Sequence, residues 1–173
     1  MSLIERTCSA IDRINERVGQ TVAWAALAMV LIQFLVVILR YVFGFGSILM
    51  QESVIYLHAI LFLMGSGYTL LHNGHVRVDI FYRDAKDATK AKVDLIGVLV
   101  FLLPVCALIW WGSWSYIQTS WQVLEGSKET SGIHAVYLLK TVILAFVALI
   151  SLQGVSVGLR ALLVIRTREI DET

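Results

Sequence analysis

Four long stretches of the chain carry no charged side chain: residues 18–39, 53–76, 95–124 and 141–159. A bilayer's hydrocarbon core is about 30 Å thick, and a helix rising about 1.5 Å per residue crosses it in roughly 20 apolar residues. Lipid offers no hydrogen bonds to an exposed backbone, so runs of this length read as spanning helices. The pattern predicts an all-α integral membrane protein with four transmembrane helices at approximately 21–39, 48–71, 93–114 and 136–163, all within a single membrane domain covering 1–173.

The segments between and before these runs have their own signatures. Ahead of the first, Ile4, Ile11, Ile14 and Val18 recur at helical spacing among Glu5, Arg6, Asp12, Arg13, Glu16 and Arg17. Such a pattern predicts an amphipathic N-terminal interfacial helix that anchors the chain to the membrane surface. Residues 43–47, with Gly44 and Gly46, predict a tight turn between the first two spans. Pro104 lies near the middle of the third span and predicts a kink, because proline lacks the backbone donor and crowds the preceding turn. Trp110, Trp111 and Trp114 fall where an aromatic belt is expected.

Composition agrees: with 58% hydrophobic and 16% charged residues, the chain has too few polar side chains to clothe a soluble globule. The net charge of +1 says little, but its distribution says more. All the lysines and arginines except Arg40, Lys128 and Lys140 fall in the leader, the middle loop and the tail, which share one face if there are four spans. Basic residues favour the cytoplasmic side, so both termini are expected to be cytoplasmic (N-in/C-in). The first run is longer than the apolar region of a signal peptide, about 7–15 residues, and no small-residue cleavage site follows it, so it reads as a retained span. Cys8 and Cys106 sit in the leader and deep in the third span, too far apart for a disulfide or a cysteine metal site.

Function then falls to the few polar positions within the apolar zone. Glu52 lies about one turn into the second helix, Arg40 ends the first on the same side, and Lys140 lies about one turn into the fourth. Buried membrane charges usually pair, so Glu52 is expected to be neutralised by Arg40, Lys140 or both, with snorkelling of Arg40 to headgroups as the other reading. His58, His72, His75 and His134 are not at matched depths on facing helices, so no haem or metal ligand set emerges and no cofactor is expected; His58 reads as a packing residue and His75 as an interfacial one. Gln153, Gly154 and Gly158 mark a side of the fourth helix suited to close packing, either internal or against another protein. Arg77 and Asp79 read as a mutual pair, a contact to phospholipid phosphate, a contact to a partner, or an ordinary topogenic basic loop. No nucleophile–base pair, carboxylate dyad, phosphate loop or nucleic-acid platform is present, and an enzyme is not expected.

Several short motifs occur in order: Arg40-Tyr41-Val42-Phe43-Gly44, Glu52, Gly74-His75-Val76-Arg77-Val78-Asp79, Tyr137-Leu138-Leu139-Lys140 and Leu152-Gln153-Gly154. Together they resemble the small membrane subunit of tripartite ATP-independent periplasmic (TRAP) transporters, the DctQ-like family. The likeness covers nearly all four spans. It implies residence in a bacterial inner membrane and two protein partners, a large TRAP membrane subunit that carries cargo by an elevator motion and a periplasmic substrate-binding protein. It also implies sodium-coupled uptake of an organic acid, with this chain as the scaffold, and it favours a structural contact for the segment from Gly74 to Asp79. Many relatives have tryptophan where this chain has Ile60; Gln51-Glu52-Ser53 and Tyr56-Leu57-His58 look more like the branch associated with keto acids and related monocarboxylates. Two other classes stay open on the residues alone: a self-contained small proton-coupled carrier, and a structural or cytochrome-like subunit of a respiratory complex.

Overall fold

The computed structural model of the chain describes residues 3–78, 80 and 83–171. The described residues form helices and connecting turns. Helix α1 is Leu3–Val42, α2 Ile48–Met64, α3 Ser66–Leu71, α4 Asp87–Ile96, α5 Leu103–Gln122 and α6 Val136–Asp171, with a π-helical turn, Gly97–Leu102, between α4 and α5. Four helical stretches are long and apolar enough to cross a membrane: Leu3–Val42, Ile48–Leu71, Asp87–Gln122 and Val136–Thr167. The chain is a multi-pass membrane protein. One end of the bundle, the loop end, holds residues 43–47 and 123–135; the other, the tail end, holds the start of α1, the end of α6 and the described residues between α3 and α4.

Local chemistry explains where the helices start and bend. Gly44 takes φ +67°, a conformation glycine adopts without a Cβ penalty, and it turns the chain out of α1. Ser47 then caps α2 by accepting from the Met50 N–H at 3.4 Å. At Gly65 the second span is irregular but not unwound: the Gly65 N–H still reaches Leu61 O at 3.1 Å and the Thr69 N–H reaches Gly65 O at 2.9 Å. The hydroxyls of Ser66 and Thr69 bond back to Leu63 O and Gly65 O, as polar side chains must in a setting without water. The discontinuity at Pro104 takes the form of the π-helical turn just before it, where the Leu103 N–H reaches back to Val98 O. Widening the helix there relieves the crowding that the proline ring imposes on the preceding turn.

The leader forms the first turns of α1. It is helical, but it is not a separate element: α1 runs unbroken for 40 residues, about 60 Å at about 1.5 Å each. Its inward line is Cys8, Ile11, Asn15, Gly19 and Val22, spaced three and four apart, and this line packs on the tail-end half of α6 and on α3. An apolar-only criterion follows Ile4, Ile11, Ile14 and Val18 instead, and Ile14 is exposed.

Helix α6 is the hub and packs against every other helix and the π turn. In its most apolar window 39% of residues are buried, against 11% or less in the other three spans, so those three present most of their surface outward. At the centre Cys106, Val147 and Ile150 meet Leu70, Leu102, Ile109 and Phe146. Both cysteines are buried and free.

Candidate functional site

The polar side chains of the apolar zone gather into two clasps, one at each end of the bundle. At the loop end, Glu52 projects from the second turn of α2 into the connection 123–135. One carboxylate oxygen accepts from the Ser127 hydroxyl, and the other from the Ile133 N–H at 2.6 Å. Ser127 Oγ in turn accepts from the Glu129 N–H at 3.0 Å. Gly132 closes the knot, since a Cβ there would lie 2.2 Å from Ser127 Oγ and 2.7 Å from Glu52 Oε1. These charge-assisted bonds hold the connection down over the helix ends.

Beside it stands the ion pair of Lys140 and Glu125. Glu125 also accepts from Ser120 Oγ at 2.7 Å, and the Lys140 ammonium lies 3.8 Å from the centre of the Tyr116 ring. The Lys140 ammonium, with the Ser120 hydroxyl, holds the Glu125 carboxyl below the usual carboxylate range. Trp121 braces the corner, donating from Nε1 to Thr141 Oγ1 at 2.8 Å and meeting Tyr137 edge-on at 4.7 Å.

These contacts correct the expected pairing of Glu52. Lys140 is bound to Glu125, and Arg40 is exposed at the end of α1 with no ion pair to the described residues. Depth along a helix is readable from residue number, whereas the direction a side chain takes around the axis depends on packing. The connection 123–135 folds back and offers donors nearer to Glu52 than the cations of α1 or α6.

At the tail end a second clasp joins α1 to α6. Asp12 accepts from Gln153 Nε2 at 3.0 Å and Ser156 Oγ at 2.9 Å, and pairs with Arg160. Asn15 donates from Nδ2 to Gln153 Oε1 at 2.9 Å and Leu149 O at 3.4 Å. Asn15 and Ser156 are fully buried, so each polar atom they satisfy removes a desolvation cost. Next to them His72 Nε2 lies 2.7 Å from Glu16 Oε2, joining α3 to α1. Asp12, Asn15 and Ser156 were hidden in the sequence: Asp12 looked like part of a solvated face, and single Asn and Ser residues carry no motif.

The other candidate residues divide between the fold and the surface. Gln153 belongs to the tail-end clasp, while Gly154 and Gly158 face the π turn: a Cβ on Gly154 would lie 2.4 Å from Leu102 Cδ2, and one on Gly158 would lie 3.6 Å from Val98 Cγ1. Of the two roles left open for this small-residue side, the contact is internal. Arg77 donates to Asp94 Oδ1 at 3.1 Å and Asn73 Oδ1 at 3.0 Å, fastening the connection after α3 to α4; Asp79 lies outside the described residues. His75 is exposed beside a groove of about 710 Å³ between α1 and the second span. His58 is exposed with its ring stacked on Phe62 at 6.1 Å, so it is not a buried packing residue.

Taken together, the side chains of both clasps bond chiefly to one another and hold helices in place, with Asn15 Oδ1 the one buried clasp atom left without a partner among the described residues. No curated protein and no solved structure matches the chain. A family model does match, across residues 29–163: the DctQ component of the tripartite ATP-independent periplasmic transporters. That stretch takes in all of Glu52's clasp, the ion pair of Lys140 and the Gly154 and Gly158 contacts, and covers well over half of the chain, which therefore belongs to the DctQ family of TRAP transporter components.

Proposed function

We propose that this chain is the stationary scaffold of a sodium-coupled, binding-protein-dependent transporter for organic acids, and that it holds no cargo itself. Proteins of its family are transporter components that work with a large membrane subunit and a periplasmic binding protein. The observation that carries the scaffold reading is the engagement of Glu52, Lys140, Asn15 and Gln153 within the chain's own fold. A substrate site in a membrane carrier needs uncommitted polar groups near the midplane, commonly at unwound helices. Here the irregular second span keeps its backbone bonds, and the clasps lie towards the two ends.

In this reading both termini are cytoplasmic, as the basic leader, middle loop and tail favour, and the membrane is the bacterial inner membrane. The tail end of α1 is held by α6 while its charged outer face meets headgroups. The outward apolar faces of the bundle supply the seam for the large subunit. The connection 123–135, stiffened by Glu52 and exposing Lys128 and Glu129, is the surface offered to the binding protein. A keto acid or related monocarboxylate is the cargo class.

The test is uptake in cells that carry the large subunit and the binding protein, with and without this chain. Sodium-dependent uptake of a labelled keto acid that requires this chain is the expected result. Equal uptake in its absence overturns the proposal. Reversing both charges in Lys128→Glu/Glu129→Lys is expected to raise the concentration of loaded binding protein needed for half-maximal uptake, and an unchanged requirement removes that contact.

A further inference from the structure

At the tail end a cavity of about 330 Å³ opens between α3, α4 and α6. Two features set it apart from the grooves along the spans. The first is its depth: its walls run through residues 70–73, 87–94 and 153–164, so that on the third span they end just short of Leu95, where the charge-free run begins, and on the fourth they cross Leu159, where that run stops. That level is where hydrocarbon gives way to headgroups.

The second feature is mixed charge. Lys90 and Arg160 line the cavity together with Asp87 and Asp94. Arg160 is tied to Asp12 and Asp94 to Arg77, each leaving further donor or acceptor capacity. The side chains of Lys90 and Asp87, one turn apart on α4, make no hydrogen bond or ion pair with the described residues. The structure thus offers one uncommitted cation and one uncommitted anion on the same wall, with Leu70, Leu71 and Val157 supplying apolar lining.

We propose that this cavity seats the headgroup of a phosphatidylethanolamine, with its phosphate between Lys90 and Arg160 and its ammonium at Asp87 and Asp94. A headgroup that is only anionic leaves Asp87 facing a like charge or nothing. Choline carries positive charge but no N–H, so it cannot hydrogen-bond the carboxylates. The acyl chains follow the apolar wall into the bilayer. The proposal requires the chain to lie in a membrane but does not depend on its role in transport, so uptake assays neither support nor weaken it.

The experiment is thermal melting of the full chain in detergent after delipidation, with added phosphatidylethanolamine, phosphatidylcholine or phosphatidylglycerol of matched acyl chains, or inorganic phosphate. Phosphatidylethanolamine is expected to raise the melting temperature by several degrees more than either other lipid, and inorganic phosphate to leave it unchanged. Asp87→Asn is expected to erase the margin over phosphatidylcholine, and Lys90→Gln to reduce the response to all three lipids. Native mass spectrometry of the wild-type chain gives a reading that needs no variant, with retained phosphatidylethanolamine exceeding phosphatidylcholine when both are offered equally. Equal effects of the three lipids, a margin that survives in Asp87→Asn, equal retention, or protection by inorganic phosphate alone overturns the assignment.

Discussion

Single residues set how closely the helices approach, and the tightest of these positions are not the ones a motif search finds. A Cβ on Gly19 would lie 2.2 Å from Tyr68 Cγ, and one on Gly67 would lie 2.1 Å from Asn15 Oδ1 and 3.3 Å from Leu149 O. Neither neighbour is a free chain end: Tyr68 meets Gly19 with the base of its ring, and Asn15 is fixed in the tail-end clasp. Gly19→Ala is therefore expected to destabilise by about 1–3 kcal/mol through overpacking. By contrast Gly158, half of the conspicuous pair with Gly154, has ordinary contact distances, and Gly158→Ala is expected to be neutral or stabilising by up to about 1 kcal/mol. Reversible unfolding in mixed micelles measures both; the opposite ranking would show that the GxxxG spacing, not the observed contacts, governs packing. Gln153→Ala is expected to cost about 1–3 kcal/mol, because it leaves the half-buried Asp12 and the buried Asn15 with fewer partners.

At the level of elements, the connection 123–135 behaves as a clamped strap. Glu52→Ala removes both bonds from α2 to it, and limited proteolysis within the connection is expected to accelerate while the spans stay folded. Unchanged cleavage would mean that the Glu125–Lys140 pair suffices. That pair carries a pH signature. The Glu125 carboxyl is held below its ordinary value of 4.5 by the Lys140 ammonium and the Ser120 hydroxyl, so the folded state binds this proton less readily than the unfolded one. Its contribution is present above the ordinary carboxylate range and is lost as pH falls below it. The connection is expected to become protease-sensitive on acidification, and Glu125→Gln to be open and flat across the same range. The helices themselves were legible, because a charge-free run of sufficient length has few alternatives in lipid. The continuity of α1 was not, since its inward line contains Asn15 and Gly19, which no count of apolar residues rewards. The distortion at Pro104 was expected in place and took the form of a π-helical turn. Glu52 is marked in the sequence as a charge needing partners; its partners are not, because they lie on a connection whose path depends on the finished bundle.

Across the whole molecule, a central α6 gathers three other spans that bury little of their own surface, and both polar clasps serve that arrangement. A bundle built this way has wide outward apolar faces and polar groups mostly committed to its own fold, which is what the proposed scaffold role requires. The family was legible from ordered short motifs on four spans, and the match across residues 29–163 agrees with it. The cargo is not written in this chain if the chain never touches it. The most direct test of that claim is a purified preparation of this protein alone in sealed vesicles, with sodium imposed outside and a labelled keto acid supplied. No accumulation above empty vesicles is predicted; accumulation that collapses with the sodium gradient would show that the chain itself carries cargo and contradict the account.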